Sequence, residues 1–190
     1  MKVLRKQETE TSNIQMGDQI IIQLTGFGEF TATAQKITDK GTLFLFDDCV
    51  AEQPMNKKPT NEGAYEKSDL YKWINTVLLS AFPEDVRTRI DNLTIPTYGQ
   101  MFGHNAWYAL SIKPDGDEQL PLMKERKNRI ADFNGNYEWY WMQNTMKSYL
   151  GQHLKEVATF NFTYVDDRGY TSGIDASNSY GVRPVFLLVD

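Results

Sequence analysis

Ser68-Asp-Leu-Tyr-Lys-Trp-Ile-Asn-Thr-Val-Leu-Leu-Ser-Ala81 is the stretch whose reading decides the fold. Ser68 is a good N-cap, because its hydroxyl can accept from a free amide of the first turn, and Asp69 complements the positive end of the helix. Leu70, Trp73, Ile74, Val77, Leu78 and Ala81 recur at i, i+3, i+4, i+7, i+8 and i+11. That spacing predicts an amphipathic helix with one apolar stripe facing a core, Trp73, Ile74 and Val77 included. A second short helix is expected to restart at Pro83, at its first helical position, with Glu84 and Asp85 at its positive end. Val86 and Ile90 are then one turn apart and face the core.

β signals lie on both sides of this helix. Gln19-Ile-Ile-Ile-Gln-Leu24 is an apolar run, and Gly26-Phe-Gly28 a turn. From Glu29 to Ile37 the pattern alternates, with Phe30, Ala32 and Ala34 on one face. After the turn signal Asp39-Lys-Gly41 comes Thr42-Leu-Phe-Leu-Phe46, so the segment 16–46 reads as a three-stranded meander. Downstream, Leu93-Thr-Ile-Pro-Thr-Tyr98 reads as extended chain entering a turn near Gly99 and Gly103. Residues 111–137 read as a long polar excursion. Glu138-Trp-Tyr-Trp-Met142 reads as a buried strand. Ala158 to Val165 alternates, with Phe160, Phe162 and Tyr164 on one face, and Val182 to Val189 is the last strand. Residues 1–15 read as a loose arm and 16–190 as one α+β domain. The chain has 190 residues, of which 41% are hydrophobic and 24% charged, enough for one real core.

The order of these features resembles a known family. Cys49-Val-Ala-Glu-Gln-Pro-Met-Asn56 leads into Glu66-Lys-Ser-Asp-Leu-Tyr-Lys-Trp-Ile-Asn75. Phe82-Pro-Glu-Asp-Val-Arg87, Leu93-Thr-Ile-Pro96 and Met101-Phe-Gly103 come next. Arg126-Lys-Asn-Arg-Ile130 and Glu138-Trp-Tyr-Trp-Met142 follow, and the end is Ser179-Tyr-Gly-Val-Arg-Pro-Val-Phe186. Taken together this resembles a family of functionally uncharacterised domains of phages, prophages and gut bacteria. The resemblance implies a C-type-lectin-like fold: small twisted antiparallel sheets, one main amphipathic helix and long loops. It also implies distant kinship with the formylglycine-generating enzymes and with the variable proteins of diversity-generating retroelements, such as phage tropism determinants.

The residues do not point to catalysis. The lone Cys49 follows Asp47 and Asp48, whose charge disfavours a thiolate, and no internal disulfide is possible. The formylglycine-generating relatives hold copper with a cysteine pair, which one cysteine cannot supply. His104 and His153 stand apart, without a companion at metal-ligand spacing. Gln53-Pro54 is followed by Met55, so the calcium triplet of sugar-binding lectins is missing. Asp166-Asp167 reads as a turn using aspartate side chains, with calcium as the rival reading. No phosphate loop or dinucleotide fingerprint occurs. The expectation is therefore a non-enzyme with no metal and no cofactor. Arg183, between apolar neighbours, is expected to reach a carboxylate or carbonyls in a structural role.

The net charge of −5 argues against nucleic acid as a partner. The basic clusters Lys2, Arg5, Lys6 and Lys124, Arg126, Lys127, Arg129 are small. No apolar run suits a signal peptide or a membrane span, so the expected place is the cytoplasm or a virion. Residues 161–180 remain as a binding surface, because rigid tyrosines alternate there with small polar residues. The retroelement relatives carry their diversified ligand contacts in the corresponding stretch. Arg168, Tyr170, Asp175, Asn178 and Tyr180 are the candidate ligand-binding residues, on one exposed loop surface between two core strands. The expected function is a binding module of phage or prophage origin for a protein or glycan ligand. The alternative is an intracellular phage accessory protein that inhibits a host defence system, in the manner of an anti-CRISPR protein.

Overall fold

The computed structural model describes residues 14–104, 112–146 and 160–189. The arm over 1–15 falls almost wholly outside them, as do Lys2, Arg5, Lys6, His153 and the start of the Ala158–Val165 segment.

Helix α1 spans residues 69–81. The Ser68 side chain accepts from the Tyr71 amide at 3.0 Å, as an N-cap should. The helix is not uniform: Asp69–Trp73 is α-helical, Ile74–Leu78 is a π turn, and Leu79–Ala81 is α-helical again. Asn75 Nδ2 donates to the Tyr71 carbonyl and Thr76 Oγ1 to the Lys72 carbonyl, each one turn back, and both bonds support the widened turn. The turn changes the stripe. Leu70, Ile74, Leu78 and Ala81 are buried, but Val77 is 46% exposed and Trp73 only half-buried. The expectation that Val77 joins the core is thus corrected, while Trp73 is partly buried and packs against the core. An i→i+5 turn holds more residues than an α turn, so the core-facing line advances by four, leaving Val77 outside it and Trp73 at its margin. Trp73 instead meets Phe27 edge-on, with ring centres 5.9 Å apart.

The meander appears as expected: β1 Gln19–Leu24, β2 Gly28–Ile37 and β3 Gly41–Phe46, all antiparallel. β4 (Ala51–Pro54) follows, and helix α2 (Glu84–Arg87) has Pro83 as its N-cap, one place earlier than expected. Ile90 opens strand β5 (Ile90–Thr94) and is not a helical partner of Val86. Gly99 lies inside helix α3 (Tyr98–Phe102) and not in a turn, because Thr97 and Gln100 form a reciprocal capping box. The polar excursion carries two 3₁₀ turns, Pro121–Lys124 and Arg126–Arg129, and a hairpin of β6 (Ala131–Phe133) and β7 (Asn136–Glu138). The chain ends on β8 (Tyr140–Thr145), β9 (Asn161–Val165), β10 (Thr171–Asp175), β11 (Ser179–Val182) and β12 (Val185–Val189).

Two five-stranded sheets result, ordered β1-β2-β3-β12-β5 and β10-β9-β8-β11-β4. Pairing is antiparallel except where β11 meets β8. Adjacent residues of the central strands enter two different cores, as the period of two requires. Phe44, Phe46 and Phe186 pack under Leu70, Ile74 and Leu78 of α1, while Leu45 and Val185 join Tyr140, Met142, Met101 and Met123. Strands buried on both faces read as continuous apolar runs, which explains Leu43-Phe-Leu-Phe46 and Tyr140-Trp-Met142. Phe160 precedes β9 and is exposed, so it does not share the buried face of Phe162 and Tyr164. The molecule is a mixed α+β structure, mostly antiparallel, with one main helix and long connections.

Candidate functional site

The stretch expected to be a loop between two core strands is itself mostly strand, since β10 and β11 occupy 171–175 and 179–182. This splits the five candidate residues. Arg168 and Tyr170 lie on the β9–β10 turn. Asp175 and Asn178 lie at the opposite end of β10, about 13 Å away at the rise of a strand. Tyr180 is inside β11.

Each group has its own surroundings. In the first turn, Asp166 Oδ1 accepts from the Arg168 and Tyr170 amides, and Gly169 adopts φ 75°. The aspartate-built turn read from the sequence is therefore present. A side chain at Gly169 would strike the Arg126 carbonyl at 2.7 Å, so glycine lets this turn press on the 126–129 segment. Tyr170 accepts a hydrogen bond from Arg126, whose guanidinium lies 5.0 Å from its ring centre. At the other turn, Asp175 Oδ1 accepts from the Ser177 amide and hydroxyl, and Asn178 donates to the Asp175 carbonyl. These side chains build their own turn.

Tyr180 belongs to a cluster of aromatic rings. The Trp139 ring stacks flat on Tyr164, with centres 5.0 Å apart and planes 6° apart. Tyr180 leans on Trp139, Trp141 and Tyr164 at 5.6, 5.1 and 5.5 Å. Trp141 is fully buried and anchors the cluster, its Nε1 donating to the Gln53 carbonyl at 2.9 Å. Trp139 and Tyr180 are half-buried and pack against the core, and Tyr164 beneath them is buried. Gly181 makes the approach of β11 possible. Its amide donates to the Trp139 carbonyl at 2.7 Å, and a Cβ there would lie 2.5 Å from Cys49 Sγ.

Polar groups surround the rings. Trp139 Nε1 donates to Asp167 Oδ1 at 3.2 Å, and Arg168 lies 3.9 Å from the same carboxylate. Partial burial holds the Glu138 carboxyl above its ordinary range, and the nearby charge of Glu52 adds to this. Tyr180 is pushed up by burial and then by Tyr164 and Glu138. The result is a rigid ring platform edged by carboxylates. Trp139 and Glu138 lie outside the 161–180 stretch read as a binding surface, because they stand in a run that reads as buried strand, whereas Tyr164 and Asp167 lie within it without being among the five candidates. Trp139 actually falls on the break between β7 and β8, and that break is the signal.

A second concavity, of about 430 Å³, is lined by Ala64, Asn92, Gln143 and Asn144 among others. Ala64 and Asn92 hold φ of 56° and 60° there. Its polar groups already engage one another. Asn144 donates to Asp115, Thr97 to Asp117, and Gln143 to Thr94.

Cys49 is buried, and burial is the main cause that pushes its thiol up, opposed by Arg183 and assisted by Glu138 and Asp48. The aspartates read as its control are minor beside desolvation. Arg183 is buried and structural. It donates to the carbonyls of Phe46, Asn128 and Arg129 and to Tyr140 Oη, with no carboxylate among its hydrogen-bond partners in the described residues. Among the described residues no three of His, Cys, Asp and Glu are grouped to hold a metal ion, and no helix is long and apolar enough to cross a membrane.

Compared with known proteins, the chain matches one family model, the domain of unknown function DUF6273, over residues 40–189. No curated protein and no solved structure matches it. The matched region runs from the start of β3 through α1 and the ring platform to β12, most of the chain, and so this protein belongs to the DUF6273 family.

Proposed function

We propose that this chain is a binding module, not a catalyst, and that it recognises a glycan on the platform of Trp139, Tyr164 and Tyr180. The observation that carries the proposal is the flat stack of Trp139 on Tyr164 with Tyr180 leaning on both, at a partly exposed edge. Rings held by other rings lose little freedom when a ligand arrives, which lowers the cost of binding. The C–H face of a sugar ring packs on such rings, while its hydroxyls donate to Glu138 and Asp167 and accept from Arg168. Of the five residues read from the sequence, this uses Tyr180 and Arg168. The buried, protonated thiol of Cys49 supports a non-catalytic role.

We also read the fold as a C-type-lectin-like variant. The support is a last strand returned between β3 and β5, one main helix packed on that sheet, and a long excursion before β8. In the phage or prophage setting that the resemblance implies, such a module would serve as an adhesin.

Screening the purified chain against immobilised glycans tests the proposal. Binding of at least one glycan class is expected, reduced about tenfold or more in Trp139→Ala and Tyr180→Ala while the fold persists by circular dichroism. No glycan binding, or glycan binding indifferent to both substitutions, overturns it.

A further inference from the structure

A cavity of about 380 Å³ lies on the β1–β2 side of the molecule, against the 122–130 segment, apart from the ring platform. Two polar groups in its wall have bonding capacity to spare, one buried and one open to the cavity. Gln35 is 2% exposed, and its Oε1 has no hydrogen-bond partner. Its orientation is fixed, because Nε2 donates to the Thr33 carbonyl at 3.1 Å. Gln35 is also the extra residue of a bulge: Ala34 pairs with Phe44 and Lys36 with Leu43, leaving Gln35 unpaired. Bulges of this kind re-aim a side chain and recur beside functional sites.

The second group is Arg183. Nε donates to Phe46, and Nη1 to Asn128, Arg129 and Tyr140, all neutral acceptors. Nη2 makes no hydrogen bond among the described residues. Arg183 lines the cavity, so this free edge is available to an anion there. At the rim stand Lys127 and Asp47. The Asp47 carboxylate already accepts from Thr33 and Gln19, and it retains acceptor capacity for a hydroxyl.

We propose that this cavity binds a uronic acid, free or as a unit of a larger glycan. The carboxylate meets Arg183 and Lys127, and ring hydroxyls donate to Gln35 Oε1 and Asp47. An anion without a hydroxyl, such as acetate, cannot supply a donor to Gln35. A neutral sugar cannot supply charge to Arg183. Neither the site nor its chemistry depends on the ring platform, so either proposal can fail alone.

Calorimetric titration of the whole chain tests it with glucuronate, galacturonate and a galacturonate trimer, against glucose and acetate. Saturable binding by at least one uronate arm, and none by glucose or acetate over the same range, is expected. Preference for the trimer identifies a polymer unit as the source, and equal affinity a free acid; both support the site. Gln35→Leu removes the unsatisfied acceptor at nearly constant volume. It is expected to weaken uronate binding about tenfold or more while the melting temperature holds or rises. Lys127→Met, at the exposed rim, weakens it as well. The proposal is overturned if no uronate binds, if acetate binds as well as the uronates, if Gln35→Leu folds and binds unchanged, or if binding is lost in Trp139→Ala and kept in both cavity variants.

Discussion

The π turn of α1 makes neighbouring residues energetically unequal, and substitution of Val77 and Leu78 measures this. Leu78 is fully buried under the sheet, so Leu78→Ala removes three carbons from a close-packed core. The lost transfer energy and the residual cavity together cost about 2–5 kcal/mol. Val77 is 46% exposed, and Val77→Ala sacrifices only a partly buried pair of methyls, about 0.5–1 kcal/mol. Alanine's higher helix propensity returns about 0.5 kcal/mol of that. In a chain of this size each kcal/mol moves the melting temperature by about 2–4 °C. Leu78→Ala should therefore melt about 6–12 °C lower if its cost is near 3 kcal/mol, and Val77→Ala within about 2 °C of the parent. Trp73→Ala, half-buried against Phe27, should fall between them. Urea unfolding followed by far-ultraviolet circular dichroism supplies the matching free energies. Equal losses for Val77→Ala and Leu78→Ala would refute the reasoning, because both would then face the core on a regular α-helical stripe.

Two further outcomes follow from the buried ionisable groups. Cys49 should resist a thiol reagent in native buffer and react at once in denaturant, as read by mass spectrometry; rapid native labelling would contradict its burial. Stability should fall as pH rises past about 9. Tyr65, Tyr140 and Cys49 stay neutral in the fold, Tyr140 with its phenol pushed up to about 12, whereas the unfolded chain releases these protons near 9 for the thiol and 10 for the phenols. Above pH 9 the unfolded state thus binds fewer protons, so alkali favours it. Tyrosinate absorbance should show late-titrating phenols that ionise together with unfolding, and titration of all phenols in one early step would contradict this.

The elements most legible in the sequence are those with one dominant period. The alternation around Phe30, Ala32 and Ala34 defines β2, and Ser68 marks the start of α1. Arg183 between apolar neighbours announces its buried role, and of the two expected partners, a carboxylate or carbonyls, it takes carbonyls, with Tyr140 Oη beside them. Other features depend on information that no single segment carries. The π turn adds a residue to one turn and leaves no periodic signature, so the stripe read from the sequence wrongly includes Val77. β10 is an edge strand with half-exposed residues, and its polar composition resembles a loop. Gln35 becomes distinctive only through its register against β3. The ring platform joins Trp139, Tyr164 and Tyr180 from three separate stretches, and only Tyr180 was singled out as a site residue.

The position of β12 bears on how the molecule comes into being. Val185 pairs with Leu45 on one side and Thr94 on the other, so the strand nearest the carboxyl end closes the middle of its sheet. Until it arrives, β3 and β5 have a gap between them, and Phe44 and Phe46 lack Phe186, the ring they both touch. These are contacts of long sequence separation, whose loop-closure entropy must be overcome before packing repays it. Folding should accordingly be slow. Before β12 docks, the chain holds an open sheet edge between β3 and β5. That edge is the stage most exposed to misassociation and to capture by chaperones.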